Sequence, residues 1–356
     1  MNLSTTPLSI PAARQSWQQC RAFTLVEVLV SMVILAMMML IITSVISQAQ
    51  KSWRTASSRV TQFREARQAF ETVTRNLRQA TINSYRDYTF GAANTSVPDN
   101  PLDPPTGYKL QAQLGIKLDT AVNLVQGGGG SANLPGHAVI FQAPLGKTAT
   151  IEFDPLNNLL CARGYFVMFG SDSDYVPRGL ASRLQSKYRY RLMEYQPNTE
   201  TNGVYGPTTG DWATINYGSE KDNIHPVAEN IVMMALGASF TPATSGPTEA
   251  PDLASEQKNP IQYSYDSYQE AGNASSAYRL PHTVQVVMVA IDEASASIVA
   301  QKMGDAAPNP VGASGASFTE PTKLKEDLAK LTKYMQDQRI NYRVFSSSVL
   351  ILAAGS

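Results

Sequence analysis

The pattern of apolar and polar residues divides the chain into an apolar run near the N-terminus, a helical stripe and a long remainder of short segments. Residues 23–46 are almost entirely apolar, and Glu27 is the one ionisable residue among them. The run has roughly 24 residues, and an α-helix needs about 20 to cross a bilayer. The pattern predicts a membrane-spanning helix with one carboxylate near its start.

The apolar period continues beyond this run at steps of three and four residues, which is the spacing of one face of a helix. The stripe consists of Trp53, Ala56, Val60, Phe63, Ala66, Phe70, Val73, Leu77 and Ala80. The arginines of the same stretch fall mainly on other faces, as on a solvated helix surface rather than a nucleic-acid or lipid site. We therefore predict one helix over about residues 23–80, apolar all round in its first half and amphipathic in its second half.

The rest of the chain alternates turn-rich stretches with short strand-like segments. Loops are predicted at residues 90–107, 127–130, 197–222, 241–260 and 304–317. Strands are predicted at residues 137–143, 149–153, 165–169, 188–195, 284–291 and 343–353, and residues 227–240 fit either a strand or a short helix. A helical face at Leu324, Leu328, Leu331 and Met335 follows Pro321, which suits a first helical turn.

Composition and charge exclude some classes of function. The 356-residue chain has 29 Lys and Arg against 29 Asp and Glu. Because these charges balance, no overall positive field attracts nucleic acid, and we expect no nucleic-acid partner. The 23 Gly, 21 Pro and 16 Tyr favour a loop-rich and strand-rich extracytoplasmic domain over a compact helical enzyme.

The two cysteines give no support for a disulfide framework. If the chain is cut before Phe23, Cys20 is lost with the leader and Cys161 has no partner within the chain. Cys161 lies in an apolar stretch, so we expect it to be a small buried side chain rather than a nucleophile.

The histidines and the phosphate-loop-like segment offer no defensible chemistry. His137, His225 and His282 lie far apart and lack neighbours at metal-ligand spacing, so we expect structural roles. The segment 146–148 resembles the end of a phosphate-binding loop, but Phe141 stands where the first glycine is required. No motif for a catalytic nucleophile is present, and we expect neither enzymatic activity nor a cofactor.

Two carboxylates form a weak candidate metal site. Asp172 and Asp174 lie two residues apart in a polar loop and could supply oxygen ligands to calcium. Pro177 occupies the position at which an EF-hand loop needs glycine, so a solvated turn is the favoured interpretation.

Two simpler interpretations of the apolar N-terminal segment are a secretory signal peptide and a plain membrane anchor. A secretory signal peptide has an acid-free apolar core of about 7–15 residues before its cleavage site. Residues 47–49 imitate such a site, but the core here is longer and contains Glu27. A plain membrane anchor leaves Glu27 unexplained, because an acid within hydrocarbon usually marks a functional partner.

The start of the apolar run resembles the processing motif of type IV prepilins and type II secretion pseudopilins. The residues that carry this resemblance are a basic leader followed by Phe23, Thr24, Leu25, Val26 and Glu27. In that family a prepilin peptidase cuts before the Phe and the new amino group is methylated. The resemblance implies cleavage between Ala22 and Phe23, N-methylation of Phe23, and pairing of Glu27 with the N-terminal amine of a neighbouring subunit. Ala22 departs from the family's glycine but keeps a small side chain.

Further segments are similar to known members of this family. Residues 75–80, 190–192, 228–232 and 280–286 occur in an order similar to that of the J-type minor pseudopilin. The long loops and the helix near residues 324–335 are more similar to the prepilin-like protein C of Verru_Chthon cassettes, a family without an established biochemical role.

The resemblance implies an α+β, pilin-like fold in which a long N-terminal helix packs on a mainly antiparallel β-rich head. The expected parts are a leader at 1–22, a transmembrane helix at 23–46, an amphipathic half-helix at 47–85 and a periplasmic head at 86–356. The expected function is that of a structural subunit, a minor pilin or pseudopilin of a pilus or a type II secretion pseudopilus.

The expected location is the inner membrane, crossed once, with the head in the periplasm until the subunit enters a filament. The expected partners are prepilin peptidase, other pilin or pseudopilin subunits, and inner-membrane lipid before assembly. The competing hypothesis is a membrane-anchored periplasmic enzyme or binding protein that uses a pilin-like anchor.

Overall fold

The computed structural model describes residues 24–91, 100, 102–112, 114–128, 133–173, 175–176, 179, 186–205, 211–240, 261–267, 279–303 and 309–352. The chain divides into two compact units, residues 1–57 and residues 58–356. The predicted boundaries between leader, transmembrane helix, amphipathic half-helix and head, after residues 22, 46 and 85, remain predictions.

The long N-terminal helix α1 spans Leu25–Leu77, close to the predicted 23–80. The backbone carbonyl of Thr24 accepts hydrogen bonds from the amides of Glu27 and Val28, 3.0 and 3.2 Å away. Among the described residues, α1 is the one helix that is long and apolar enough to cross a membrane by length and composition. These criteria fit a spanning helix and also a signal sequence near an N-terminus.

The predicted stripe is buried in its later part. Ala66, Phe70, Val73, Leu77 and Ala80 contribute to the core of the unit formed by residues 58–356. Trp53 and Val60, at the start of the stripe, are exposed at 78% and 70%. The amphipathic half of α1 therefore packs on the head from about Phe63 onward.

The head contains thirteen strands and four further α-helices in its described residues. The strands are β1 Ser84–Thr89, β2 Gly107–Ala112, β3 Ile116–Thr120, β4 Val125–Gln126, β5 His137–Ala143, β6 Cys161–Ser171, β7 Tyr188–Tyr195, β8 Ile215–Asn216, β9 Ile224–Glu229, β10 Ile231–Ser239, β11 Tyr265–Asp266, β12 Thr283–Ile291 and β13 Tyr342–Leu350. The helices are α2 Ala121–Leu124, α3 Glu293–Met303, α4 Pro310–Ala313 and α5 Leu324–Asp337. Short 3₁₀ helices occur at Ile151–Asn158, Thr199–Thr201, Gly203–Tyr205, Asp211–Ala213, Lys221–Asn223 and Pro321–Lys323.

The strands form two main antiparallel sheets. The larger sheet has the strand order β11-β3-β5-β6-β7-β9, and the smaller has the order β10-β12-β13. An antiparallel pair, β1 with β2, and a short parallel pair, β4 with β8, complete the described sheets. The long helix and the antiparallel head confirm the predicted α+β class.

The larger sheet is covered on both faces. Successive strand residues point to opposite sides, and Tyr165 and Phe166 accordingly belong to two different apolar clusters. The cluster around Tyr165 includes α1 and the smaller sheet, whereas the cluster around Phe166 includes α2 and Trp212. Burial on both faces explains why every residue of β5 is buried and why β6 is buried up to its last two residues, which are half-buried.

Most predicted strands are present, one predicted strand is absent, and several elements were not predicted. Residues 149–153, predicted as a strand, contribute to the 3₁₀ helix Ile151–Asn158, in which Pro155 cannot donate a ladder hydrogen bond. Residues 227–240 form parts of β9 and β10, separated by Asn230 at a φ of 62°. The elements that were not predicted are helices α2, α3 and α4 and strands β1, β2, β3, β4, β8 and β11. Of these, β8 and α4 lie within residues 197–222 and 304–317, which were predicted as loops. Residues 241–260 lie outside the described part of the chain.

Candidate processing and assembly site

Glu27 is the member of the predicted processing and assembly site that the structure describes. Ala22 and Phe23 lie outside the described residues. Glu27 is in the first turn of α1, where its amide lies 3.0 Å from the carbonyl of Thr24 and 3.4 Å from the Thr24 hydroxyl. Because the first turn of a helix carries partial positive charge, a carboxylate is favoured at this end of α1.

The surface around Glu27 is apolar. Leu25, Val26, Val28 and Leu29 flank it, and all four side chains are exposed. A continuous exposed apolar surface needs lipid or another apolar surface as its neighbour. Within such a surface a lone carboxylate is costly, whereas a carboxylate paired with an opposite charge tolerates burial much better.

Comparison with protein families identifies this segment. The family model for the prokaryotic N-terminal methylation motif matches residues 17–43. These residues therefore carry a prokaryotic N-terminal methylation motif, as the resemblance to type IV prepilins and pseudopilins implied. Comparisons with curated proteins and with solved structures gave no match to the chain. The methylation motif includes Ala22, Phe23 and Glu27, whose individual roles remain predictions.

The weak metal candidate of the sequence has a turn-forming role in the structure. Asp172 Oδ1 accepts a hydrogen bond from the Lys187 amide at 2.8 Å, and the Asp172 carbonyl accepts hydrogen bonds from the amides of Tyr175 and Val176. Asp174 lies outside the described residues. Within the described ranges, no group of three or more His, Cys, Asp and Glu side chains could hold a metal ion.

His137 is a satisfied core residue. Its Nε2 lies 2.9 Å from the Phe318 carbonyl, and its Nδ1 accepts a hydrogen bond from the Leu236 amide at 3.0 Å. One ring nitrogen donates and the other accepts, which is the pattern of a neutral imidazole. Burial lowers the pKa of His137 and keeps the ring neutral.

Cys161 is also structural. Its Sγ lies 3.2 Å from the Pro197 carbonyl and 2.7 Å from Asn202 Nδ2. Burial raises the pKa of the Cys161 thiol, so the reactive thiolate is disfavoured. The expectation of a small buried side chain is confirmed.

Two polar clusters between α1 and the head were not predicted, and the first lies at the start of α3. Arg59 Nε lies 2.8 Å from Asp292 Oδ2. The same carboxylate accepts hydrogen bonds from the amide of Ser295 at 2.8 Å and from Asn341 Nδ2 at 3.0 Å. An acidic residue immediately before a run of small helix-forming residues is an N-cap signal, and it could have revealed α3.

Glu293 extends this cluster. Its carboxylate accepts hydrogen bonds from Arg189 at 2.7 Å, from Asn230 at 3.0 Å and from Gln62 of α1 at 3.3 Å. Burial alone would raise the pKa of Glu293, but the hydrogen bonds from Arg189 and Asn230 hold it below its usual value. The carboxylate therefore stays ionised and links α1, β7 and α3.

The second cluster lies near the C-terminal end of α1. Asn76 Nδ2 donates to the Tyr165 hydroxyl at 2.7 Å, and that hydroxyl donates to Glu194 Oε1 at 2.5 Å. Arg163 Nη1 lies 3.2 Å from the same carboxylate oxygen. Burial and the neighbouring Glu194 raise the pKa of Tyr165, so the phenol keeps its proton. The head therefore has polar attachments to α1 at two levels.

Proposed function

We propose that this protein is a structural subunit, a minor pilin or pseudopilin, that assembles into a type IV pilus-like or type II secretion pseudopilus filament. The methylation motif at residues 17–43 supports this proposal most directly. Helix α1 adds support, since it continues from the motif and carries an exposed apolar surface at its start.

The proposed mechanism begins with prepilin peptidase. Cleavage between Ala22 and Phe23 leaves a new amino group on Phe23, which is then methylated. Glu27 lies about one helical turn further along, so an amine and a carboxylate occupy the same end of α1. In a filament, the carboxylate of one subunit pairs with the amine of another, and the apolar surfaces of the helices cover each other.

The proposed membrane topology follows from the same motif. Before assembly the apolar part of α1 crosses the inner membrane once and contacts lipid. The leader remains cytoplasmic, so the head lies in the periplasm. The head then travels with α1 into the filament, and the polar clusters at Asp292 and Glu194 hold the two together.

Replacement of the carboxylate tests this function. Glu27→Ala should abolish incorporation into sheared or purified filaments and leave cleavage of the leader intact, because cleavage occurs four residues earlier. Ser31→Ala is a matched control, since Ser31 is an exposed residue one turn further along α1. Normal incorporation of the Glu27→Ala protein would contradict the proposal and favour a membrane-anchored enzyme or binding protein.

A further inference from the structure

A cleft of about 480 Å³ opens in the head where α5 ends and β13 begins. It is lined by Arg59, Phe63, Gln336, Arg339, Ile340, Asn341 and Tyr342. The lining combines two guanidinium groups with the apolar side chains of Phe63 and Ile340. Neither the methylation motif nor the attachment of α1 assigns a role to this cleft.

Arg339 has an unusual backbone conformation for its residue type. Its φ is 57°, in the left-handed region, directly after α5. The amides of Arg339 and Ile340 close the helix by donating to the carbonyls of Gln336 and Met335, at 3.0 and 2.8 Å. Glycine is the usual residue at such a helix end, because a side chain is strained there. Strained residues cluster at functional sites, and here the strained residue presents an exposed guanidinium.

The rest of the lining defines the chemistry of a ligand. Arg59 is 45% exposed, although its Nε is held by Asp292. Gln336 Nε2 donates to the Tyr342 hydroxyl at 2.9 Å, which fixes one wall. Guanidinium groups favour carboxylates, and Phe63 and Ile340 favour apolar neighbours. The cleft therefore fits a carboxylate that has apolar side chains beside it.

The same chain presents this chemistry on another surface. The 3₁₀ helix Ile151–Asn158 exposes Ile151 at 87% and Phe153 at 44%. Glu152 lies between them and is also exposed. An exposed carboxylate flanked by two exposed apolar side chains is complementary to the cleft in both charge and hydrophobicity.

The two surfaces lie at opposite ends of β6. The 3₁₀ helix leads into the first residue of β6, Cys161. The last residue of β6, Ser171, pairs with Tyr188, and the adjacent Arg189 bonds to Glu293, next to Asp292 and the cleft. Strand β6 has 11 residues, which corresponds to about 35 Å at ~3.3 Å per residue.

We propose that the cleft around Arg339 and Arg59 binds the segment containing Ile151, Glu152 and Phe153 of a second copy of this chain. The contact is head-to-tail, and each copy keeps one unoccupied surface for the next copy. Repetition of such a contact produces an open array rather than a closed dimer. The inference rests on the proposed function and adds a specific contact between heads to the pairing of the N-terminal helices.

The contact is small and acts together with the helices. A stable interface between free proteins usually buries more than about 1,000 Å², and three residues in a cleft bury much less. Association of the N-terminal helices raises the effective concentration of the heads, and a weak contact is then occupied. The test therefore uses the full chain in its membrane.

Disulfide trapping with a charge swap tests the contact. The reporter pair is Ile151→Cys with Gln336→Cys in a Cys20→Ser background. Oxidation should give a ladder of disulfide-linked multimers. Ile151→Cys with Glu320→Cys is the matched control, because Glu320 is exposed but lies at the other end of α5. Equal multimers from the control pair would overturn the inference.

Charge reversal then tests the role of the arginine. Arg339→Glu or Glu152→Arg in the reporter background should reduce the multimers by up to about fivefold, the upper end of what one exposed charge pair contributes. The double reversal should restore them, and failure to restore them would overturn the proposed pairing. Mass analysis of Phe23 in the same sample separates the two proposals. N-methylated Phe23 without a ladder rejects the head contact alone, whereas a ladder with an uncut leader rejects the filament function alone.

Discussion

Arg59 Nε lies 2.8 Å from Asp292 Oδ2, and the Asp292 carboxylate is only 1% exposed. This ion pair attaches α1 to the start of α3 and to the segment before β13, because Asp292 also bonds to Ser295 and Asn341. The buried member of the pair is the more important one energetically, since its loss leaves the buried Ser295 amide, the Asn341 side-chain amide and the Arg59 guanidinium without their shared acceptor.

Removal of this carboxylate should destabilise the head. Asp292→Ala is expected to lower the free energy of unfolding by about 2–4 kcal/mol. Arg59→Ala should cost only about 1 kcal/mol, because the Arg59 side chain is partly solvated. Urea unfolding of the detergent-solubilised full chain measures both. Glu320→Ala is the control, as its exposed pair with Lys323 should contribute almost nothing; a similar loss in all three variants would refute the special role of Asp292.

The apolar stripe should contribute to stability only in its later part. Leu77 is fully buried, whereas Val60 is 70% exposed. Leu77→Ala removes core contacts and should lower the free energy of unfolding by about 2–5 kcal/mol. Val60→Ala should change it by less than about 0.5 kcal/mol in the isolated subunit. Equal effects in urea unfolding would show that α1 packs differently on the head.

The head should lose stability in mildly acidic solution. Burial lowers the pKa of His137 below its ordinary value of 6.5, so the unfolded chain binds a proton more readily than the folded chain. The contribution of the neutral His137 to the free energy of unfolding is fully present above about pH 6.5. It is lost as the pH falls, by at most ~1.4 kcal/mol per pH unit.

The control for this pH dependence is His225, the second histidine whose pKa is lowered. Burial and the nearby Lys147 also lower the pKa of His225, which is less buried than His137. Urea unfolding between pH 7.5 and 5.5 measures how the free energy of unfolding depends on pH. This dependence should become much weaker in His137→Gln and only slightly weaker in His225→Gln. An unchanged slope in His137→Gln would contradict this assignment.

Arg339→Gly should separate stability from assembly. Glycine relieves the left-handed strain and should raise the free energy of unfolding by up to about 1 kcal/mol. The same variant should form several-fold fewer disulfide-linked multimers of the reporter pair, because the guanidinium is gone. A variant that is less stable, or that keeps its multimers, would show that Arg339 serves the fold alone.

The fold was predictable wherever a single pattern of apolar positions extended over a long segment. Helix α1 is apolar throughout its first half and repeats its apolar positions over about seven turns of its second half. Strand β12 is β-branched on both faces, so neither element has a competing interpretation. Helix α3 was missed because its alanines and serines give no apolar stripe. The segment 149–153 alternates like a strand, but Pro155 follows it and the chain turns into a 3₁₀ helix instead.

The candidate site was predictable as a motif and not as a set of contacts. Phe23 and Glu27 were predicted from the resemblance of residues 23–27 to the prepilin processing motif, which needs no tertiary information, and the methylation-motif match at residues 17–43 includes both positions. The pairs Arg59 with Asp292 and Asn76 with Tyr165 join residues far apart in the chain. The spacing of apolar residues within one segment cannot indicate such pairs. The cleft around Arg339 likewise depends on how α1, α5 and β13 meet.

The mature N-terminus tests the central claim most directly. Mass analysis of the protein purified from its membrane should show a chain that begins at Phe23 and carries one methyl group on its amino nitrogen. An intact Met1, or a chain that begins near Gln50 as after signal-peptide cleavage, would contradict the assignment of this protein as a processed filament subunit.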